Sequence, residues 1–539
     1  MDALPYDHLP SASRLFADYT QGRGGIRAFY DHPPTVETVE AVAHVAAARR
    51  VPHTAVARIL RAQAERWDVL DETRADAIET LDQPDAVAIV TGQQVGVLGG
   101  PLYTLYKAMT AIRLARHLRD QGHPAVAVFW LHGEDHDVDE IAQVGIGTHT
   151  GARTLRLDVP APTGIAYGPA GLLSADPVDA LIDEIAAVLP ESDLHRDATL
   201  GLLRRCYADG NLTDGLARLL DALLPGSGLL LLDATDPAFK PHLVPLYAAD
   251  VANGDQIALE VAEQTERLVA AGGSAQIHVA PTNLFYLSDE GRLPIDQQDD
   301  HFVTRGGSTR WANATALSTE IGAHPEQFSP NVALRPMAQD VLLPTAAYVA
   351  GPGEAAYYAQ LRPVYRAHEL PMPVIFPRAS LTLVPPAARR LMDRHELTLS
   401  DLQRVDAERT LHRLAGERMT RSQSGAFDYA RDQISGAFAA LSATLDRLDI
   451  EPTANATRVR IDRELDRLHL RAVRAARKQA TDLEAAYLRA RALVSPGGAP
   501  QERVLSAVSF LSVYGLDVFA DLLADVPLDP TAHHIVDLA

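Results

Sequence analysis

One cysteine, Cys206, stands in a chain of 539 residues. A single thiol excludes an internal disulfide and any zinc or iron–sulfur site built on several cysteines, and it suits a reducing compartment. Only Asp209 and, farther off, His195 stand near it in sequence. Neither activates a nucleophile at that spacing, so a structural thiol is expected. Positive charge is also short: 49 Lys and Arg against 70 Asp and Glu leave a formal net charge of −21. That balance argues against nucleic acid and against anionic membrane surfaces as partners. No apolar run approaches the roughly 20 residues of a membrane-spanning helix. The opening residues, Met1 to Asp7 in sequence, show no basic region followed by an apolar run. No signal peptide is expected, and the expected location is the cytoplasm. No repeat of solenoid length is present.

What is there is ordinary globular composition, 47% hydrophobic and 22% charged, long enough for two or three domains. Five short apolar runs stand out, at residues 86–90, 125–131, 229–232, 345–350 and 373–376. Each is bounded by turn residues and reads as a strand buried on both faces. A helical pattern over 103–118 lies between the first two, giving a βαβ unit. The grammar is that of an open parallel α/β sheet, which binds ligands beyond the carboxyl ends of its strands.

Around these strands the chain divides into a helical region at 1–84, a first half of the core at 85–144 and a connecting insert at 145–227. A core continuation at 228–272, a second insert at 273–330 and the second half of the core at 331–384 follow. Helices are expected at 177–189, 197–224 and 251–271, and a hairpin turns at Ser288-Asp289-Glu290-Gly291. Residues 296–330 read as polar and irregular, with one short helix near Ser318. From 385 to 495 Gly and Pro become scarce. Ile461, Leu465, Leu468, Ala472 and Ala475 recur at alternating four- and three-residue spacing, an antiparallel coiled-coil pattern with Pro452 separating its helices. Its outer face carries Arg458, Arg460, Arg463, Arg467, Arg471, Arg474 and Arg477, which reads first as a solvated face and otherwise as a surface for an acidic partner subunit or a nucleotide's phosphates. A helical tail, with helices at 501–514 and 518–523, completes residues 496–539.

Polar clusters follow the strands. Thr91-Gly92-Gln93-Gln94 and Gly99-Gly100-Pro101-Leu102-Tyr103-Thr104 lead into a helix that carries Lys107. Glycines after a strand let backbone approach a phosphate, and the helix start offers unpaired amides. Without Gly-Lys-Ser/Thr this is not a Walker loop, and a plain tight turn is the competing reading. His132, Glu134, Asp135, His136, Asp137 and Asp139 place six ionisable groups in eight positions. Such density shifts pKa values and suits acid–base work or Mg²⁺ binding. The competing readings are an acidic loop with Asp135 or Asp137 capping a helix, and a transition-metal hydrolase site built on His132 and His136. Asn331, Arg335 and Gln339 fall on one helix face, where Arg335 either clamps a carboxylate or forms a surface salt bridge. Gly351-Pro352-Gly353-Glu354 repeats the close-approach turn, with Glu354 alternatively serving the helix dipole. Arg378 either pairs with a core acid or meets ligand.

Those strings, together with Phe129-Trp130-Leu131-His132-Gly133-Glu134-Asp135-His136-Asp137, Arg335-Pro336, Pro377-Arg378 and Pro500-Gln501-Glu502-Arg503, resemble the bacillithiol biosynthesis cysteine-adding enzyme family, in the family's order and across nearly the whole chain. The resemblance implies a Rossmann-like parallel-sheet core of the nucleotidyl-transferase and class I aminoacyl-tRNA synthetase type, with inserts and a C-terminal α-helical coiled coil. It implies a cysteine ligase that joins the cysteine carboxyl group to the amine of glucosaminyl-malate, and a homodimer formed through the helical region. Amide formation from a free carboxylate is uphill, so ATP, with Mg²⁺, is the expected cofactor. On this reading Thr91, Gly92, Gln93, Gln94, Gly99, Gly100, Tyr103, Lys107, Gly351, Gly353 and Glu354 bind the cofactor. Asn331, Arg335, Gln339 and Arg378 bind substrate, and His132, Glu134, Asp135, His136 and Asp137 do the chemistry. A metal-dependent hydrolase and a catalytically silent nucleotide-binding protein are the rival classes.

Overall fold

All five apolar runs are strands of one sheet. The computed structural model describes residues 2–148, 151–403, 407–417, 421–444, 451–478 and 481–538. We label the strands β1 (Val87–Gln94), β2 (Ala125–His132), β3 (Leu230–Asp233), β4 (Thr345–Ala350) and β5 (Val374–Pro377). Every neighbouring pair is parallel, and the spatial order is β3-β2-β1-β4-β5. Their apolar side chains are buried on both faces, which is why the runs are continuous rather than alternating. The chain steps outward from β1 to β3, then returns to lay β4 and β5 on the other side of β1. That reversal opens a crevice between the carboxyl ends of β1 and β4, where doubly wound sheets take their ligands. The register sets Gln94 opposite His132, so the clusters after β1 and β2 come out level at the same edge.

Four helices matter for the site: α1 (Tyr103–Asp120), α2 (Lys240–Ala270), α3 (Arg335–Leu342) and α4 (Pro352–Ala367). Helix α2 begins at Lys240, well before the expected start at Val251. Pro241 and Pro245 make this stretch read as loop, but burial of Leu243, Leu246 and Tyr247 outweighs them. The expected helix over 197–224 is broken into Arg196–Cys206 and Leu212–Leu223. Gly210 at φ 81° turns the chain, and Asn211 and Asp214 cap the second helix reciprocally.

Three further expectations are corrected. Residues 296–330 are not irregular: His301–Thr304, Arg310–Trp311 and Phe328–Pro330 join the expected hairpin in a five-stranded antiparallel sheet. Its apolar residues are too sparse to show a period in sequence, yet Tyr286 meets Trp311 and Phe328 across the strands, with ring centroids 5.1 and 5.4 Å apart. The helical regions at both ends of the chain also hold strands. Asp2–Pro5 and Ala532–Asp537 pair antiparallel and share a sheet with Ser380–Val384. The helix expected over 501–514 is two, Gln501–Val504 and Val508–Tyr514. Between them the Leu505 carbonyl accepts from Leu102 N–H and Ser506 N–H donates to Gly145, bonds that a continuous helix would forbid.

The chain forms two compact units, one built mainly from residues up to 383 with 500–536, the other mainly from 384–499. In the second, Arg421–Thr444 lies along Glu451–Lys478. Phe427 stacks on His469 and Arg431 pairs with Asp466, so the two helices are antiparallel. Pro452 does not separate them: it sits in the first turn of the second helix, where its missing N–H is harmless, and the connection at 445–450 lies outside the described residues. The apolar pattern is not a buried stripe either. Ile461 and Leu468 are exposed while Val473 is buried, because the contact face is rotated toward Leu465, His469 and Val473. Arg458, Arg467 and Arg431 of this hairpin pair with acids on its own surface. Arg477 has no described side chain.

Candidate active site

A cavity of about 700 Å³ opens at the crevice between β1 and β4. Its floor is the sheet edge, Gly92, Gln93 and Gln94 from β1 and Trp130 and His132 from β2. Tyr103 and Lys107 enter from α1, Arg335 from α3, and Gly351, Gly353 and Glu354 from the turn into α4. The antiparallel sheet closes one side with Phe285 and Arg292. Gly92 is required by packing: a Cβ there would stand 2.9 Å from the Trp130 carbonyl oxygen.

Lys107 is fully committed within this wall. Its Nζ lies 2.5 Å from Glu354 Oε2 and donates to the Gly92 carbonyl at 2.8 Å and to Gln93 Oε1 at 2.9 Å. Those three bonds use its three protons, so Lys107 is not the phosphate ligand that its place in the helix suggests. Burial pushes the Glu354 carboxyl up, but Lys107, the Tyr348 hydroxyl at 2.6 Å and the Gly351 N–H at 2.7 Å overrule it and hold the group below the usual carboxylate range. Arg378 is likewise spent: it grips Glu502 with both terminal nitrogens, at 2.8 and 2.7 Å, while still bordering the cavity.

The histidines play different parts. The Arg292 guanidinium stacks over Phe285, donates to Ser329 and Pro330, and lies 2.9 Å from His136 Nδ1. A guanidinium only donates, so Nδ1 accepts and the ring proton sits on Nε2. Burial and Arg292 both push the His136 imidazole down. His136 is thus held as a neutral N–H donor rather than a base. Its Nδ1 lone pair is also occupied, so the transition-metal pair of His132 and His136 does not form. Among the described residues no three His, Cys, Asp or Glu side chains cluster to hold a metal. His132 has no hydrogen-bond partner of its own among the described residues. Burial pushes it down to about 4, opposed by Asp135 and helped by Arg335 and Arg292. It is neutral near pH 7, with a lone pair left to accept a proton. Asp135 receives Gln94 Nε2 at 2.7 Å and the His136 N–H at 2.8 Å.

Six expected site residues do not line the cavity. Glu134 is buried against Lys240, which also reaches the Phe328 carbonyl. Asp137 caps the short helix Val138–Ile141 and faces a neighbouring acidic cavity that shares Gln94, Asp135, His136 and Glu140 with the first. Thr91, one residue before Gly92 and so on the other face of β1, donates across the sheet to the Val349 carbonyl at 2.9 Å. Gly99 and Gly100 supply positive φ, 85° and 61°, in a turn packed near Leu219. Gln339 is buried behind Arg335 and accepts from it at 3.1 Å. Asn331 does border the cavity, but its side chain is occupied with Asn283 and with the Ala333 and Leu334 amides.

What remains unpaired decides the chemistry. Arg335 is 4% exposed, bonds only neutral groups (Gln339 and the Tyr358 and Tyr357 hydroxyls), and has no carboxylate at ion-pair distance among the described residues. Trp130 is 2% exposed, and its indole N–H has no partner among the described residues. Both line the cavity. A buried cation that borders the cavity without a counter-charge calls for an anionic ligand. Trp130, Phe285, Arg292, Tyr357 and Arg503 were not singled out by sequence reasoning. For Arg292 the one available signal was an arginine directly after the hairpin turn at Gly291.

With this geometry in hand, two family models match the chain: the N-terminal Rossmann-like domain of bacillithiol biosynthesis BshC over residues 1–379, and the C-terminal coiled-coil domain of the same protein over 381–538. Curated relatives carry the name "Putative cysteine ligase BshC". One from Salinibacter ruber is 35% identical, covering 97% of this chain and 96% of its own length. Another from Koribacter versatilis is 33% identical over 99% of both chains. A third from Chlorobaculum tepidum is 30% identical over 98% of this chain and 97% of its own. No helix among the described residues is long and apolar enough to cross a membrane.

Proposed function

This chain belongs to the BshC family of bacillithiol biosynthesis, and from that membership we propose a cysteine ligase that joins the carboxyl group of cysteine to the amine of glucosaminyl-malate. One observation carries the choice of substrate. The Arg335 guanidinium borders the cavity with no counter-ion among the described residues, and a malate end supplies a carboxylate for it. With the malate held there, the amine is presented to the same cavity. His132, neutral and without a hydrogen-bond partner among the described residues, takes the proton that the amine sheds as the new C–N bond forms. His136, fixed by Arg292, offers its Nε2 proton to an oxygen on which charge develops.

Amide formation from a free carboxylate is uphill, so we propose that Mg-ATP, when bound, supplies the activation of the cysteine carboxylate. The residues present fit such a group at the crevice between β1 and β4. A Cβ built on Gly353 would meet no atom within 4 Å, so the first turn of α4 faces open cavity and its amides stand clear for a phosphate. Gly92 and Gly351 border the same space. Lys107 takes no part, being neutralised by Glu354.

Arg335→Lys tests the malate assignment. The charge is kept and the planar fork is lost, so KM for glucosaminyl-malate is expected to rise about tenfold, worth ~1.4 kcal/mol, with KM for cysteine unmoved. Steady-state kinetics with each substrate varied in turn reads this out. A rise confined to cysteine would assign the subsite to the cysteine carboxylate instead.

A further inference from the structure

Asp250 lies on α2, is 0% exposed, and no Lys, Arg or His pairs with it among the described residues. A buried carboxylate with no counter-charge needs a reason. Its two oxygens take the two N–H groups of one residue: Asn283 donates its backbone N–H at 2.9 Å and its Nδ2 at 3.0 Å. Asn283 Oδ1 in turn accepts from Asn331 Nδ2 at 2.9 Å. Asn331 Oδ1 then accepts the Ala333 and Leu334 amides at 2.8 and 3.1 Å, and its carbonyl accepts the Arg335 amide. The docking is built in: Gly254 stands one turn after Asp250 on α2, and a Cβ there would collide with the Pro281 carbonyl, so only glycine lets the Asn283 segment lie this close.

An amide side chain can rotate to exchange oxygen for nitrogen, so the groups around it set its orientation. An ionised carboxylate only accepts. Together with the Ala280 carbonyl, which takes the second Nδ2 proton at 3.1 Å, it turns the Asn283 nitrogen inward and the oxygen toward Asn331, in the same sense as the Ala333 and Leu334 amides turn Asn331 from the other end. We propose that Asp250 is a positioning residue for Arg335, setting through Asn283 and Asn331 the entry of the helix that presents the guanidinium to the cavity. The relay stands on these bonds alone; its consequence for substrate rests on the reading of Arg335 as the malate anchor.

The test uses three variants of the full chain, Asp250→Asn, Asn283→Asp and the double exchange, at pH 8, above the value of about 6 to which burial lifts the Asp250 carboxyl. Asp250→Asn removes one of the acceptors that hold Asn283 and sets two amide nitrogens against each other. Asn283→Asp sets two carboxylates face to face. The double exchange keeps both contacts between 250 and 283, with the side-chain donor moved to 250, and the new carboxylate at 283 still accepts from Asn331; only the Nδ2 bond to the Ala280 carbonyl is lost. Hydrogen exchange of the Ala333 and Leu334 amides is expected to speed up about tenfold in Asp250→Asn and to return to the native rate in the double exchange. L-malate binding by calorimetry is expected to weaken and recover in step. Native exchange in Asp250→Asn, or a double exchange that does not recover, overturns the proposal. If a single variant fails to fold, a native-like double exchange supports the relay and an unfolded one overturns it. Exchange that follows the relay while the native protein binds no malate leaves the relay standing and removes the malate anchor.

Discussion

His132→Gln is expected to lower kcat by about 10²- to 10⁴-fold, roughly 3–5 kcal/mol, with little change in either KM. Glutamine keeps much of the imidazole's bulk and hydrogen-bonding capacity but cannot take up a proton. The effect follows from the environment: the ring sits in the cavity wall, hydrogen-bonded to no described residue, and burial first, then Arg335 and Arg292, keep it in the basic form that accepts the proton. The pH profile carries a second signature. With the imidazole pushed down to about 4, its basic form persists through the neutral range, so kcat should show no His132 inflection between pH 5 and 8. An inflection near 6.5 that disappears in His132→Gln would contradict the assigned environment. Linkage gives the matching sign for stability: the unfolded chain binds this proton first as pH falls, so His132 makes the fold less stable from about pH 6.5 down toward 4.

Lys107→Met is expected to destabilise the protein by about 3–5 kcal/mol, because it leaves the Glu354 carboxylate uncompensated beneath the cavity. Methionine matches the lysine stem, so little packing is lost and the effect is electrostatic. The double variant Lys107→Met with Glu354→Gln should recover most of the loss, since both charges go together. In the native protein Glu354 is held below its ordinary value, so its contribution is present above the unfolded pKa and disappears as pH falls through the folded one. The gap between Lys107→Met and the native protein should therefore be widest at neutral pH and should close in acid. Urea denaturation at two pH values measures both. A single variant as stable as the native chain would mean that the pair is ornamental.

Much of this arrangement is legible in the sequence, for a physical reason. Strands buried on both faces write themselves as unbroken apolar runs, so β1 to β5 and the ligand edge at their carboxyl ends follow from residues 86–90, 125–131 and their successors. Which member of a cluster faces the ligand does not follow. Thr91 and Gly92 are neighbours, yet the pleat sends one into the sheet and leaves the other at the cavity. Glu134 has the right chemistry, but Lys240, on a helix more than 100 residues later, takes it out of the site. Arg292 and Asp250 act through partners that only the tertiary fold assembles, His136 for one and Asn283 for the other. That Arg335 has no counter-ion among the described residues is legible only when its neighbours are known.

Mass spectrometry of the product tests the ligase directly. Purified protein is incubated with cysteine, glucosaminyl-malate and Mg-ATP, with a parallel reaction lacking ATP. A cysteinyl adduct of glucosaminyl-malate is expected to form only when ATP is present. An adduct that forms equally without ATP would contradict the proposed activation, and no adduct from folded protein in either reaction would contradict the ligase itself.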